Sequence, residues 1–287
     1  MLPLALILDS RGAQVSGSDR SRDQGKTPEK FAWIESQGIT LYPQDGTGVP
    51  GADVLVVSTA VEDSIPDVRA AKQKEIPIQR RAELLAVLFN DARVRIAVAG
   101  TSGKSTVTAM IGFILKECGL DPTVMNGAAF RGEAGEVSYA TAMTGRGDIF
   151  VTEADESDGS IALYQPTIGV LNNIALDHKS MDELIDLFTE YADRSDQVVM
   201  NVDNLPVSRI AGGMAAKAMT FSLKNDLADM SATHIQESGT SISCDVVCHG
   251  RMVPLRLSLP GRHNLSNALA ALCAVSMAGV DLEKACA

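Results

Sequence analysis

The chain has 287 residues, 45% of them hydrophobic, which is enough for two globular domains that each bury a core. Its 25 basic and 36 acidic residues give a formal net charge of −11, which repels a nucleic-acid backbone, so we expect no nucleic-acid partner. The sequence has no apolar run of about 18 residues or more, so we also expect no membrane-spanning helix and no membrane partner.

The cysteines and the first residues indicate the compartment. Five cysteines are scattered through apolar stretches, which is typical of a reducing environment rather than of a disulfide framework. The apolar start of the chain has no basic flank or small-residue cleavage site, which argues against a signal peptide. We therefore expect a cytoplasmic protein. Cys244 and Cys248 fall on one face of a predicted strand without a second ligand pair, so core packing is favoured over metal binding.

The first 92 residues alternate short apolar runs with helical stretches, the pattern of βαβ units around a parallel sheet. The periodicity predicts helices at 2–8, 28–37, 68–74 and 82–89, and strands at 13–15, 52–57 and 76–79. The helix at 2–8 resembles the first helix of such a domain, but the strand and turn that should precede it are missing. The segment is therefore interpreted as an incomplete Rossmann-like domain.

A second α/β domain is predicted for residues 93–287. Apolar runs predict strands at 94–99, 149–152, 168–171 and 198–202, with one helix that follows the turn at 100–105 and runs through residue 116, and another at 181–191. From 232 to 259, alternation with a period of two predicts a small antiparallel hairpin that turns at His249 and Gly250. A last helix is predicted at 264–277, where Gly279 can end it.

The strongest motif is Gly100-Thr-Ser-Gly-Lys-Ser-Thr106, which stands between a predicted buried strand and a predicted helix. Glycines let backbone N–H groups surround a polyphosphate, a helix N-terminus favours its charge, and Lys104 can reach the terminal phosphates. Ser105 offers a hydroxyl for Mg²⁺. Val98 stands where the strict phosphate-loop signature has its first glycine, so only the shorter form is present. A glycine turn with a surface lysine is the alternative interpretation.

Two further motifs follow predicted strands, where α/β sheets place ligand-binding residues. Thr152-Glu-Ala-Asp-Glu-Ser-Asp158 crowds carboxylates that repel each other unless a cation is near. Glu153 is the carboxylate that we expect to join Ser105 and phosphate oxygens around Mg²⁺, and a solvated acidic loop is the alternative. The second motif is Asn172-Asn-Ile-Ala-Leu-Asp-His178, and His178 is either a ligand at the same site or a structural histidine.

A last motif, Gly261-Arg-His-Asn-Leu-Ser-Asn267, precedes the final predicted helix. Asn264 and Asn267 lie one turn apart on one helix face. Amides at this spacing can donate and accept hydrogen bonds toward a purine edge. Plain N-capping by Asn264 is the simpler alternative.

Four segments in this order, GTSGKST, TEADESDGS, NNIALDH and GRHNLSNALAA, resemble the central ATPase domain of the Mur ligase family. Three earlier segments, VSGSD, ADVLVVSTAV and IPIQRRAE, resemble the UDP-sugar-binding domain of the branch that joins L-alanine to UDP-N-acetylmuramate. The resemblance covers nearly the whole chain. Other branches carry a carbamylated lysine after the Asp-His motif, and the absence of lysine between Lys179 and Lys217 favours the alanine branch.

The resemblance implies an ATP- and Mg²⁺-dependent ligase that phosphorylates the carboxylate of UDP-N-acetylmuramate, and L-alanine then attacks the acyl phosphate, in peptidoglycan biosynthesis. The implied catalytic residues are Lys104, Glu153 and His178, and the implied Mg²⁺ ligands are Ser105, Glu153 and His178. The implied ATP-binding residues are Gly100, Thr101, Ser102, Gly103, Lys104, Ser105, Thr106, Asn264 and Asn267, the two asparagines facing adenine. The residues implied to lie near the UDP-sugar are Asp19, Ser58 and Arg81.

The sequence also departs from the family pattern. Ser102 stands where the alanine branch usually has a histidine near the sugar substrate. The family's glycine-rich first turn and its third domain are missing, so we expect this chain alone to bind nucleotide weakly and to ligate little. Three alternatives stay open: a ligase that joins a recycled murein peptide to the same sugar nucleotide, a non-catalytic nucleotide-binding homologue, and a simple kinase or NTPase.

Overall fold

The computed structural model describes residues 1–58, 62–128, 141–157, 159–176 and 179–287. The chain divides into two compact units, Met1–Leu88 with Ala128–Thr144, and Phe89–Gly127 with Gly145–Ala287. Helices and strands alternate through both units, so the predicted α/β fold class is confirmed. In the part of the chain that the structure describes, every helix is too short or too polar to cross a lipid bilayer.

The elements are numbered in chain order. The first ones are α1 (Leu2–Ser10), β1 (Ser16–Ser18), α2 (Arg20–Asp23), α3 (Pro28–Ser36), β2 (Thr40–Tyr42), β3 (Leu55–Val57), α4 (Pro66–Gln73), β4 (Ile78–Arg80), α5 (Arg81–Asn90), β5 (Val94–Ala99), α6 (Lys104–Glu117), β6 (Thr123–Met125) and β7 (Ala142–Met143). They are followed by β8 (Ile149–Glu153), a 3₁₀ helix (Ser160–Leu163), β9 (Ile168–Leu171), α7 (Met181–Arg194), β10 (Gln197–Asn201), α8 (Leu205–Gly212), β11 (Ala218–Ser222), β12 (Met230–Glu237), β13 (Ile242–Cys248), β14 (Arg251–Leu257), α9 (Arg262–Met277) and α10 (Leu282–Cys286).

Two parallel strand pairs form the framework of the first unit. β1 pairs with β2, and β3 pairs with β4, both in parallel. Because parallel neighbours need a crossover, α2 and α3 connect the first pair and α4 connects the second. Phe31, Ile34 and Ile39 form a buried cluster against which the apolar face of α1 packs. The sequence pattern missed β2 and α2, which are only three and four residues long.

The end of α1 decides where the first strand can begin. Gly12 has a φ of 87° and its N–H donates to Asp9 O (2.8 Å), while the N–H of Ala13 donates to Leu8 O (3.1 Å). These two bonds are the pair that defines a Schellman cap. Because the cap uses the amide of Ala13, the strand predicted at 13–15 was placed wrongly, and β1 begins at Ser16.

Nine strands of the second unit form one sheet in the order β14-β13-β12-β11-β10-β9-β5-β8-β6. Neighbours from β6 to β12 are parallel, and β12, β13 and β14 are antiparallel. β5 lies between β8 and β9, and its last four residues are fully buried. This is the continuous apolar run expected of a parallel strand covered on both faces.

The antiparallel part has one more strand than the sequence pattern predicted. The turn at His249 and Gly250 is present, and both residues have positive φ, as a two-residue hairpin turn requires. A second turn separates β12 from β13, and in it the N–H of Ser238 donates to Ser241 O (2.9 Å). The alternating pattern continues across this polar turn, so it predicted one strand where the structure has two.

Helices cover the sheet and complete its core. α6 and α9 contact each other, and α9 buries ten residues between Leu265 and Val275. α7 begins with a capping box between Ser180 and Glu183 and lies beside β9. The hydroxyl of the fully buried Tyr191 on α7 donates to Ala97 O on β5 (2.6 Å). Burial raises the pKa of this phenol, so it stays a neutral donor that ties α7 to the central strand.

Replacing Tyr191 with phenylalanine is expected to lower the free energy of unfolding by about 1–3 kcal/mol, because it removes a buried hydrogen bond to β5 without creating a large cavity. Urea unfolding of the chain measures the change. Tyr42→Phe is the matched control, since this side chain is 37% exposed, and it should change stability by less than about 0.5 kcal/mol. Equal effects of the two substitutions would contradict the role of Tyr191.

Candidate phosphate-binding site

Three neighbouring strands bring the sequence motifs to one edge of the sheet. In the parallel pairing of β5 with β8, Val98 lies opposite Glu153, and in that of β5 with β9, Ala99 lies opposite Leu171. The segments that follow these strands therefore leave the sheet side by side at its carboxyl edge. In open α/β sheets this edge is where ligands bind.

The turn after β5 requires glycine at two positions. Gly100 has a φ of 127° and Gly103 a φ of 84°, and L side chains rarely adopt either conformation. A Cβ at Gly100 would also lie 2.8 Å from the backbone oxygen of Asn173, and a Cβ at Gly103 would lie 2.8 Å from the side chains of Asn172 and Asn267. Both backbone conformation and close packing thus explain the glycines of the motif.

An asparagine pair at the end of β9 holds this turn in place. Asn173 accepts from the N–H of Ser102 (2.9 Å) and donates to Ser102 O (2.8 Å), and its backbone oxygen accepts from the N–H of Thr101 (3.0 Å). Asn172 adds a bond from Nδ2 to Ser102 O (3.1 Å). Neither asparagine was predicted from the sequence to have a role. A polar pair directly after a buried strand was the signal available.

These bonds determine which backbone N–H groups of the turn remain available to an anion. The N–H groups of Thr101 and Ser102 are used by Asn173, whereas α6 begins at Lys104 without a side-chain cap among the described residues. The first backbone N–H to bond back into this turn is that of Val107, which donates to Gly103 O (3.0 Å). The preceding amides of Lys104, Ser105 and Thr106 belong to the open helix end, a ready-made site for an anion.

Lys104 does not extend into open solvent. Its Nζ donates to Gly100 O (2.8 Å) and forms an ion pair with Glu156, at 2.9 Å from Oε2 and 3.1 Å from Oε1. The side chains of Lys104 and Glu156 are only 16% and 9% exposed. Glu153 is the carboxylate predicted from the acidic segment, and Glu156 was not predicted, because spacing alone does not tell which carboxylate turns inward.

Glu153 and Asn126 lie at the ends of β8 and β6, next to each other in the sheet. Glu153 is half-buried and accepts a hydrogen bond from the N–H of Gly127. Asn126 is 5% exposed, and its Oδ1 has no hydrogen-bond partner among the described residues. A buried carbonyl oxygen without a donor is costly, so this atom indicates a missing partner such as a ligand, a cation or water.

The oxygen atoms at this edge of the sheet are of the kind that Mg²⁺ prefers as ligands. Ser105 and Glu153 offer oxygen atoms, which Mg²⁺ prefers, and phosphate oxygens and water can complete its coordination. His178, the third predicted ligand, lies outside the described residues. Within the described ranges, no three His, Cys, Asp or Glu side chains are grouped to hold a metal by themselves. A cation here would therefore depend on its nucleotide for part of its coordination.

The two predicted adenine-facing asparagines have different surroundings. Asn267 is 8% exposed, and its Oδ1 accepts from Nδ2 of Asn172 (3.0 Å), beside the turn at residues 100–103. Asn264 is half-buried, and its Nδ2 donates to Pro260 O (2.8 Å). The structure therefore places Asn267 in contact with the turn, and the contact with adenine stays a prediction for both.

The predicted sugar-binding residues lie in the first unit, each directly after a strand. β3 and β4 pair with Val57 opposite Arg80, so Ser58 and Arg81 follow neighbouring strand ends. Asp19 follows β1 and caps α2 by accepting from the N–H of Ser21 (2.7 Å). Capping accounts for Asp19 structurally, and its role at the sugar stays a prediction.

The cysteines near the antiparallel strands have no catalytic environment. Cys244 and Cys248 are buried on one face of β13, as predicted for core positions. Burial raises the pKa of the Cys244 thiol to about 11, so it is protonated at neutral pH and is a poor nucleophile.

The strand, turn and helix, with a helix end that no described side chain caps, have the geometry of the phosphate-binding turns found in α/β nucleotide-binding proteins. The family profile described as Mur ligase middle domain matches residues 98–275, and the one described as Mur ligase family, catalytic domain, matches residues 1–93. The chain belongs to the Mur ligase family.

Named relatives agree with this family. UDP-N-acetylmuramate–L-alanine ligases from Chromobacterium violaceum and Acaryochloris marina are 36% and 34% identical to this chain over 99% and 98% of its length. The chain spans about 60% of the length of these relatives, 61% and 59% respectively.

Solved structures agree as well. The UDP-N-acetylmuramate–alanine ligase of Thermotoga maritima superposes with a TM-score of 0.81 at 25% identity, covering 100% of this chain and 64% of that one. The UDP-N-acetylmuramate:L-alanyl-γ-D-glutamyl-meso-diaminopimelate ligase of Neisseria meningitides superposes with a TM-score of 0.80 at 25% identity, covering 99% of this chain and 92% of that one.

Gly100→Ala is expected to destabilise the chain by more than about 2 kcal/mol and to impair ATP binding, because the new Cβ would collide with the backbone of Asn173. Gly119→Ala is the control: its φ is 78° but open space surrounds it, so only the conformational cost of about 1–2 kcal/mol should be seen. Urea unfolding and calorimetric titration with ATP measure both effects. Intact ATP affinity in Gly100→Ala would show that the turn is not the phosphate site.

Proposed function

We propose that the protein containing this chain is an ATP-dependent ligase that joins L-alanine to the carboxylate of UDP-N-acetylmuramate. The observation that carries the proposal is the uncapped N-terminus of α6, with Lys104 beside it, at the sheet edge where β8 ends in Glu153. The named relatives that match nearly the whole chain support the choice of substrates.

In this proposal ATP places its terminal phosphates at the helix end. The backbone amides of Ser105 and Thr106 and the ammonium group of Lys104 offset the phosphate charge, where the helix dipole also favours it. Ser105, Glu153 and His178 would hold Mg²⁺, which supplies charge neutralisation and orients the phosphate oxygens when bound. Asn264 and Asn267, on the first turns of α9, are the proposed contacts of adenine.

The chemistry needs positioning and charge rather than a covalent protein nucleophile. A carboxylate oxygen of the sugar nucleotide attacks the terminal phosphorus of ATP, and ADP leaves with the electrons of the broken P–O bond. The amine of L-alanine then attacks the acyl carbon, phosphate leaves, and the amine loses a proton. Asp19, Ser58 and Arg81 would hold the UDP-sugar, and Lys104 would stabilise the transferring phosphoryl group.

The domain organisation and cellular setting follow from the same proposal. Residues 1–92 would bind the sugar nucleotide and residues 93–287 would bind ATP. The product is a precursor of peptidoglycan, so the protein would act in cell-wall biosynthesis. We place it in the cytoplasm, because its five cysteines are unpaired and cell interiors are reducing.

A second candidate is a ligase that joins a murein peptide, instead of L-alanine, to the same sugar nucleotide. The Neisseria meningitides structure favours it, since that ligase is as similar to this chain as the alanine ligase from Thermotoga maritima, with TM-scores of 0.80 and 0.81. The two candidates share the ATP and sugar sites and differ in the amine.

Lys104→Ala is expected to weaken ATP binding at least about tenfold, because it removes the only side-chain ammonium in the phosphate turn and its charged hydrogen bonds. Calorimetric titration of the chain with ATP and Mg²⁺ measures the affinity. Lys116→Ala is the control, because this lysine is exposed in the last turn of the same helix and its loss should leave the affinity unchanged. Equal ATP affinity in wild type and Lys104→Ala would refute the site.

Phosphate release by the protein containing this chain distinguishes the candidate functions. With ATP, Mg²⁺ and UDP-N-acetylmuramate present, we expect release to depend on L-alanine, and mass spectrometry should detect the sugar nucleotide extended by one alanine. Dependence on a murein tripeptide would establish the second candidate. Release without any amine would indicate a kinase or NTPase, and no release with either amine would indicate a non-catalytic homologue.

A further inference from the structure

The ammonium group of Lys104 has an acceptor for each of its three N–H donors in this structure. Lysine offers three N–H donors, and Nζ has three acceptors within hydrogen-bond distance: Gly100 O at 2.8 Å, Glu156 Oε2 at 2.9 Å and Glu156 Oε1 at 3.1 Å. The group expected to bind phosphate is therefore bound to the protein itself. A phosphate oxygen can reach it only if one of these bonds is exchanged.

The ion pair is also shielded from water. Lys104 and Glu156 are 16% and 9% exposed as side chains, whereas Glu153, another carboxylate of the segment, is half-buried and accepts from a backbone N–H. Salt and water weaken a shielded pair much less than a surface pair. Separating the pair leaves a buried carboxylate without its counter-charge, which is unfavourable.

We propose that Glu156 is a gate for the phosphate site: it holds Lys104 when no nucleotide is bound, and binding exchanges its carboxylate for phosphate oxygens. The inference rests on the proposed function, because it takes the phosphates of ATP as the competing anion. Glu156 is thus a positioning residue that acts through Lys104.

The exchange links nucleotide binding to the cation. When Lys104 turns to the phosphates, the buried Glu156 carboxylate faces added negative charge. A divalent cation that arrives with the nucleotide offsets this charge. Nucleotide without a cation must therefore bind weakly to the wild type, and much of that weakness disappears when Glu156 is made neutral.

The test measures ATP affinity by calorimetry for the whole chain, with Mg²⁺ and with EDTA. Glu156→Gln keeps the shape of the side chain and removes its charge, so we expect about tenfold tighter binding of metal-free ATP and a smaller gain for Mg·ATP. Glu153→Gln is the matched control, because it removes the same charge at the same sheet edge but not the partner of Lys104. We expect it to tighten metal-free binding by less than about threefold and to weaken Mg·ATP binding.

The gate is overturned if Glu156→Gln binds metal-free ATP no more tightly than wild type does. It is also overturned if Glu156→Gln binds metal-free ATP no more tightly than Glu153→Gln does. Should Glu156→Gln fail to fold, Glu156→Asp gives the same comparison. Its carboxylate is one methylene shorter and cannot keep both contacts with Nζ, so we expect a smaller tightening in the same direction. If wild type binds no ATP even with Mg²⁺, the proposed function fails instead.

A second measurement tests the gate without any nucleotide. Acetylation by an N-hydroxysuccinimide ester, followed by peptide mass spectrometry, reports how readily each lysine reacts. We expect Lys104 to react several-fold faster in Glu156→Gln than in wild type, while the exposed Lys116 on the same helix reacts equally in both. An unchanged rate at Lys104 overturns the gate even if the proposed function holds.

Discussion

The meeting of β5, its turn and α6 is the constraint on which the site depends. Gly100 leaves β5 in a left-handed conformation so close to Asn173 that its neighbour in the sheet dictates the path of the turn. That path leads the chain into α6, where no described side chain caps the first amides of the helix. The site is therefore made by packing of two strand ends, β5 and β9, as much as by the motif itself.

Local charge compensation explains how an acidic chain can hold a polyanion. The net charge of −11 opposes a phosphate group at long range, but salt screens charges beyond about 8–10 Å. At short range the helix end and the Lys104 side chain, which is only 16% exposed, would favour a bound phosphate group. The inward Glu156 and the neighbouring Glu153 add negative charge at the same edge, so under the proposed function a bound nucleotide would need a cation such as Mg²⁺ beside it.

α9 brings a late part of the sequence into contact with the turn at residues 100–103. Its buried side chains pack along the sheet and against α6, and Asn267 projects from its second turn to Asn172 and Gly103. The start of α9 and the turn at residues 100–103 are therefore joined through buried amide contacts. Rigid support of this kind keeps binding groups in place before a ligand arrives.

The sequence by itself determined the α/β class and the glycine-containing turn between β5 and α6, because buried strands, glycines and a helix start are local signals. Strand Ile168–Leu171 was predicted to the residue, since its apolar run has sharp polar ends. Only the tertiary structure decided that Glu156 rather than Glu153 meets Lys104, and that Asn173 holds the turn after β5. These contacts join residues 52 and 71 positions apart, and spacing along a chain does not tell which distant side chains will meet. The helix cap before β1 and the turn between β12 and β13 are instead local features that hydrophobic periodicity does not resolve.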